Sequence, residues 1–269
     1  MYYEEKSIQV PGSDPNTKLH IYIRDCAEGI AWKERPLIVI CPGGGYEHTS
    51  NREAEPIAFQ FLSFGYNVAV LRYSVSPATY PTALLELTSS VIYLKQNASK
   101  WHIDTDQIYI CGFSAGGHLA ASYGVFWHTE DFLSQTFGVS KDFLKPNGLI
   151  LGYPVITSNE FAHRGSFQRL LGDKEAELSE KMSLEKRVNE YVPRCFIWHT
   201  FEDTSVPLEN SLLFAESLRK QGIPFEYHVF PKGHHGLALA NKLTDSGEGK
   251  DILPECTPWI SLVHTWIEN

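Results

Sequence analysis

The sequence predicts an α/β protein organised on one mostly parallel, doubly wound sheet of about eight strands. Three observations predict it. Short runs rich in β-branched and aromatic residues alternate with longer stretches of helical spacing, the alternation that builds βαβ units. Most of the runs are bounded by Gly or Pro, as buried parallel strands tend to be. The chain has 269 residues, 43% of them hydrophobic and 20% charged, which supplies an ample core for one domain, residues 1–269, of ordinary globular composition.

Each element has its own justification. Ser7 to Val10 and Leu19 to Arg24 alternate polar and apolar residues, which predicts an antiparallel hairpin at a sheet edge. The further strands are expected at Leu37 to Cys41, Val68 to Tyr73, Ile108 to Gly112, Leu149 to Tyr153, Cys195 to Thr200 and Phe225 to Phe230. Between them, Ser50-Asn51-Arg52-Glu53 has the S-x-x-E pattern of a capping box ahead of a helix running to about Phe64. Leu84, Leu87, Val91 and Leu94 line one helical face behind Pro81, a residue suited to a first turn. A helix from Leu208 to Lys220 stops at Gly222 and Pro224. Trp259 to Ile267 reads as a C-terminal helix. Two stretches, 127–146 and 157–191, fit no strand-helix rhythm. They are expected to be surface excursions or a small lid over the strand ends, where ligands sit in such sheets.

Bulk properties exclude several function classes. The net charge of -9 argues against nucleic acid, since nothing would neutralise a phosphate backbone. No basic amphipathic stretch suggests an anionic membrane surface, and no run approaches the ~20 apolar residues of a membrane span. Met1 is followed by Tyr-Tyr-Glu-Glu-Lys, not by the basic and apolar regions of a signal peptide. Five widely spaced cysteines without C-x-x-C read as reduced thiols. A cytoplasmic location is expected. A homo-oligomer is left open.

The chemistry starts at Ser114. After the strand ending at Cys111 comes Gly112-Phe113-Ser114-Ala115-Gly116-Gly117, the G-x-S-x-G pattern of a strained strand-to-helix turn that exposes a nucleophilic serine. The bland alternative is a Gly-rich turn. A serine hydroxyl needs a general base and donors for the developing oxyanion. The donors are expected from Gly43-Gly44-Gly45, which follows the strand Leu37 to Cys41. In this architecture such a loop supplies one N–H and the residue after the nucleophile another, here Gly44 or Gly45 with Ala115. A phosphate loop is the rival, but G-x-G-x-x-G fails at His48.

The order in this architecture is Ser, then acid, then His. Glu202 and Asp203 both follow the strand Cys195 to Thr200, and His234 and His235 both follow the last strand. Position alone leaves both pairs open. No H-E-x-x-H occurs, and adjacent histidines rarely chelate one ion, so neither a metal nor an organic cofactor is expected.

Together these pieces resemble the α/β-hydrolase superfamily, and more narrowly bacterial acetyl esterases and sugar or xylan esterases of the lipase/esterase group with a Gly-rich oxyanion loop. The matching segments are C-P-G-G-G-Y, R-Y-S-V-S-P-A-T-Y-P-T-A-L, G-F-S-A-G-G-H-L-A, H-T-F-E-D-T-S-V-P and G-H-H-G, from residue 38 to the terminal helix. The resemblance implies an α/β-hydrolase fold with a small lid or none, Ser114 as nucleophile, Asp203 as the triad acid, and His235, directly before Gly236, as the base. Two departures are visible. Cys41-Pro42 precedes the glycines in place of a histidine, and Thr200 stands where the acid motif often has Gly.

The expected activity is hydrolysis of small acyl, most simply acetyl, esters of sugar-like or other small alcohols through Ser114, His235 and Asp203. An arylformamidase-like amide hydrolase would use the same residues. A non-catalytic binding protein of this fold would normally have lost one of them. The expected partner is a small-molecule ester.

Overall fold

A computed structural model describes residues 1–269. Eight strands form one sheet: β1 (Tyr2–Ser7), β2 (Lys18–Ile23), β3 (Arg35–Cys41), β4 (Asn67–Arg72), β5 (Ile103–Phe113), β6 (Gly148–Gly152), β7 (Cys195–Thr200) and β8 (Phe225–Phe230). Their spatial order is β1-β2-β4-β3-β5-β6-β7-β8. The β1/β2 and β2/β4 pairs are antiparallel, and every pair from β4 to β8 is parallel. This is the mostly parallel, doubly wound sheet that the alternation predicts and the α/β-hydrolase fold that the resemblance implies.

Nine helices connect and flank the strands: α1 (Glu55–Ser63), α2 (Thr82–Gln96), α3 (Ala98–Trp101), α4 (Ser114–Phe126), α5 (Asp131–Phe137), α6 (Arg164–Leu171), α7 (Glu175–Leu178), α8 (Glu209–Lys220) and α9 (Trp259–Glu268). Side chains alternate across a strand, so each buried strand feeds two cores. Leu37 and Val39 of β3 pack with Leu84, Leu87, Val91, Leu119 and Phe214 from α2, α4 and α8. Ile38 and Ile40 pack on the other face with Ile57, Phe61, Trp259 and Val263 from α1 and α9. No helix is long and apolar enough to cross a membrane.

The winding creates the site. From β3 the chain goes to β4 on one side, and from β5 it goes to β6 on the other. The loops after β3 and β5 therefore diverge and leave a crevice at their carboxyl ends, the usual ligand position in open α/β sheets.

Three sequence expectations need correction. The first strand is Tyr2–Ser7 and not Ser7 to Val10. The chain leaves the sheet after Ser7 and turns, with Ser13 N–H donating to the Val10 carbonyl at 3.0 Å. The strand itself, Tyr-Tyr-Glu-Glu-Lys-Ser, lies at an edge and carries no apolar periodicity. Second, Ser50-x-x-Glu53 is not a capping box. Helix α1 starts behind Ala54 without any side-chain cap, because the Glu53 carboxylate is used elsewhere. Third, the stretch 127–146 cannot cover the strand ends. It joins the end of α4, which runs back from the carboxyl end of β5, to the start of β6, and so lies at the opposite edge of the sheet.

Candidate active site

Ser114 is the last step of a strand and the first of a helix. β5 ends at Phe113 and α4 begins at Ser114, whose φ is +53°, a left-handed conformation that costs a non-glycine residue about 1 kcal/mol or more. The packing that enforces it needs Gly116, since a Cβ there would stand 2.1 Å from the carbonyl oxygen of Cys41. The start of α4 thus abuts the end of β3, and Ser114 meets the loop that follows β3.

That loop turns sharply. Gly44 has φ +127°, and a Cβ on it would lie 2.2 Å from the His48 carbonyl oxygen, so the position admits only glycine. Gly43 N–H donates to Glu53 Oε2 at 2.8 Å. The N–H groups of Gly44 and Gly45 donate to no protein acceptor. Ala115, in the first turn of α4, has an N–H that the helix itself leaves unpaired.

Ser114 Oγ–H donates to His235 Nε2 at 2.7 Å, and His235 Nδ1–H donates to Asp203 Oδ2 at 2.6 Å. Asp203 is buried. Its Oδ1 accepts the N–H groups of Ser205 and Val206 at 3.0 and 2.9 Å, which fixes the carboxylate plane. Burial works against the charge. Hydrogen bonds from His199 and His235 and from the Val206 N–H outweigh it and hold the carboxyl well below the ordinary carboxylate range. The structure therefore brings Ser114, His235 and Asp203 into one hydrogen-bonded line, with the glycine loop beside the serine.

The neighbouring members of both ambiguous pairs do other things. Glu202 is exposed and accepts the Gly233 N–H at 3.1 Å. His234 faces away from Ser114, with Nδ1 bonded to the His235 carbonyl at 2.8 Å and Nε2 3.0 Å from Asp251 Oδ1.

Above Ser114 lies a cavity of about 400 Å³ whose lining includes no apolar side chain. Gly44, Gly45, Glu47, His48, His163 and Arg169 form much of its wall. Arg169 Nη2 pairs with Glu47 Oε2 at 2.8 Å. His163 Nδ1 bonds Ser166 Oγ at 2.8 Å, and burial, with His235 and Arg169 nearby, pushes its imidazole down from the usual value. His163 and Arg169 belong to the stretch 157–191, which therefore borders the cavity. Two aromatic side chains stay outside this cavity: Tyr46 is buried and bonds His118 Nδ1 at 3.1 Å. Trp127 lies with His128 and Tyr191 at the far edge. No group of three or more His, Cys, Asp or Glu side chains is arranged to hold a metal ion.

Sequence reasoning missed several residues. The Ser50-x-x-Glu53 pattern points to a cap and not to this site, His199 opens the H-T-F-E-D-T-S-V-P segment without announcing a place beside Asp203, and nothing local distinguishes Tyr153, whose ring lies edge-on to His235 at 5.0 Å between centroids.

The family model described as BD-FAE matches residues 19–218. Endo-1,4-beta-xylanase B of Butyrivibrio fibrisolvens is 40% identical over 220 residues, 80% of this chain and 34% of that protein. Acetylxylan esterase of Xylanibacter ruminicola is 29% identical over 212 residues, 75% of this chain and 41% of that protein. The chain thus spans well under half the length of these two relatives. The solved structure of an acetyl ester-xyloside bifunctional hydrolase from Caldicellulosiruptor lactoaceticus superposes with a TM-score of 0.79 at 38% identity, covering 94% of this chain and 87% of that one.

Proposed function

The chain belongs to the BD-FAE family within the α/β-hydrolase superfamily, and we propose that it is a serine hydrolase that removes small acyl groups, most simply acetyl, from sugar-like alcohols. The observation that carries this reading is the line Ser114–His235–Asp203 opening onto a cavity with no apolar side chain in its lining. An alcohol bearing several hydroxyls would meet several hydrogen-bonding side chains there. An alkyl or aryl alcohol would meet no apolar side chain to pack against.

The acyl side supports a short chain. Val155 N–H donates to the Ser114 carbonyl at 3.0 Å, and Val155 packs with Tyr46, His118, Ser166, Phe167 and Leu170 so closely that no water-sized space is left between them. A long acyl chain therefore finds no channel on that side, and the cavity above Ser114 offers it no apolar side chain.

In the proposed reaction Ser114 Oγ attacks the ester carbonyl carbon while His235 Nε2 takes its proton. The carbonyl π pair moves to oxygen, where the N–H of Gly44 or Gly45 and that of Ala115 donate to it. Loss of one such donor typically lowers the rate about 10²–10³-fold. Collapse of this intermediate expels the alkoxide, which takes the proton from His235. A water molecule then attacks the acetyl-enzyme, giving its proton to His235, and carboxylic acid and free Ser114 are released. Asp203 keeps Nδ1 protonated and stabilises the imidazolium.

The test compares acetylated xylo-oligosaccharides with N-formylkynurenine, using the wild type and Ser114→Ala. Release of acetate by the wild type alone supports the reading. Turnover of the formamide without the ester would replace it with amide hydrolysis. Acetate release by Ser114→Ala would remove the nucleophile assignment.

A further inference from the structure

Glu53 is a buried carboxylate whose oxygens face only donors. Oε2 accepts the Gly43 N–H at 2.8 Å, and Oε1 accepts the Tyr153 hydroxyl at 2.6 Å. The Tyr153 oxygen in turn accepts the Ala238 N–H at 3.0 Å. Burial, and then the neighbouring Glu53 charge, raise the phenol well above its ordinary value, so Tyr153 keeps its proton and acts as a donor. One side chain is therefore tied at one end to the residue before Gly44 and Gly45. At the other it is tied, through Tyr153, to the loop that carries His235.

The preceding residue makes a second tie to the same loop. Arg52 Nη2 lies 2.9 Å from Asp251 Oδ2, and Asp251 Oδ1 lies 3.0 Å from His234 Nε2. Arg52 Nε also donates to the Thr244 carbonyl. Thus two adjacent positions ahead of α1 clamp the segment 234–251 from two directions. A loop left to its own flexibility would not hold the oxyanion donors and the base in one geometry, and a misplacement of about 1 Å can cost ~10²-fold in rate.

We propose that Glu53 is a positioning residue for the hydrolysis: its carboxylate sets the oxyanion loop and, through Tyr153, the His235 loop relative to one another. The inference rests on the serine-hydrolase reading above. It adds a residue that no motif in the chain announces.

The substitution Glu53→Gln separates the two ties. The amide carbonyl can still accept from Gly43. The amide NH₂ then meets Tyr153, whose oxygen already accepts from Ala238, and the hydroxyl proton loses its acceptor. Tyr153→Phe keeps the ring beside His235 and removes the relay, so it answers the question even where Glu53→Gln fails to fold. The measurements are kcat and KM on 4-nitrophenyl acetate, titration of reactive serine with diethyl 4-nitrophenyl phosphate, and the thermal midpoint.

The expected result for Glu53→Gln is kcat lowered about 10- to 100-fold, with KM within about twofold. Tyr153→Phe is expected to show a smaller loss of the same kind. The double variant should be no worse than Glu53→Gln alone, since both changes cut one chain of contacts. Wild-type kcat in Glu53→Gln would overturn the proposal, as would a change confined to KM. Additive losses in the double variant would overturn the relay. Ser114→Ala, run in parallel, separates the two levels: activity in that variant means the hydrolase reading itself has failed.

Discussion

His199 Nε2 lies 3.2 Å from Asp203 Oδ2, the oxygen that also receives the His235 Nδ1–H. His199 is fully buried, and its Nε2 also faces the Val206 carbonyl at 3.0 Å. With two acceptors before it, Nε2 carries the hydrogen, and Nδ1 accepts from the Ser211 hydroxyl at 2.7 Å. Asp203 is thus held by two imidazoles, one of which never reaches the cavity. Replacing His199 by Phe removes one donor and leaves the carboxylate a stronger acceptor toward His235. The His235 imidazolium is then stabilised, and the acid limb of the kcat/KM profile moves to higher pH. The expected loss in kcat/KM is about tenfold. An unmoved acid limb would mean that His199 only fills space.

The two adjacent histidines should separate cleanly by kinetics. His235→Ala is expected to lower kcat by at least ~10³-fold, as loss of a general base does. His234→Ala removes a half-exposed contact with Asp251, worth about 0–1 kcal/mol in stability, and should change kcat less than about fivefold. The opposite pattern in steady-state assays would exchange the roles.

Acyl length provides an independent check on the space around Ser114. Across 4-nitrophenyl acetate, butyrate, hexanoate and octanoate, kcat/KM should fall with each step. The total loss from acetate to octanoate is expected to be about 10²-fold or more, since the cavity above Ser114 offers a long chain no apolar side chain to pack against. A maximum at octanoate would refute the short-acyl proposal.

Stability should depend on pH through His118. Burial pushes its imidazole down to about 4, partly opposed by the hydrogen bond to the Met182 carbonyl. The unfolded chain takes up a proton near pH 6.5 that the folded chain refuses until near 4. Unfolding free energy therefore falls as pH drops through this window, by up to about 3 kcal/mol from this residue. Asp203 acts later. Its carboxyl is lowered from 3.8, so the stability it contributes is lost only as pH falls below that value. Urea unfolding of wild type and His118→Gln at pH 7, 5.5 and 4.5 checks the first window. The variant should show the shallower slope, and parallel curves would remove His118 as the cause.

Legibility in the sequence followed the range of the forces involved. Strands β7 and β8 end where the apolar runs end, because both are bounded by local turn chemistry. The Gly112–Gly116 pattern could be read because its constraint acts between residues a few positions apart. Glu53 could not. The same four letters that make a capping box served a tertiary contact with Tyr153, a hundred positions on. His199 and Arg52 were hidden for the same reason, since their partners are set by how β7 and β8 bring distant loops together. The edge strand Tyr2–Ser7 was misplaced because an edge imposes no apolar alternation.

The left-handed turn at Ser114 has a consequence for anyone who would improve this protein. At such a backbone angle glycine rests with less strain than serine. A programme that rewards heat resistance alone would therefore favour glycine at the proposed nucleophile, and its winners would be robust and inert. Here durability and turnover compete for a single codon, and a useful screen has to demand both at once.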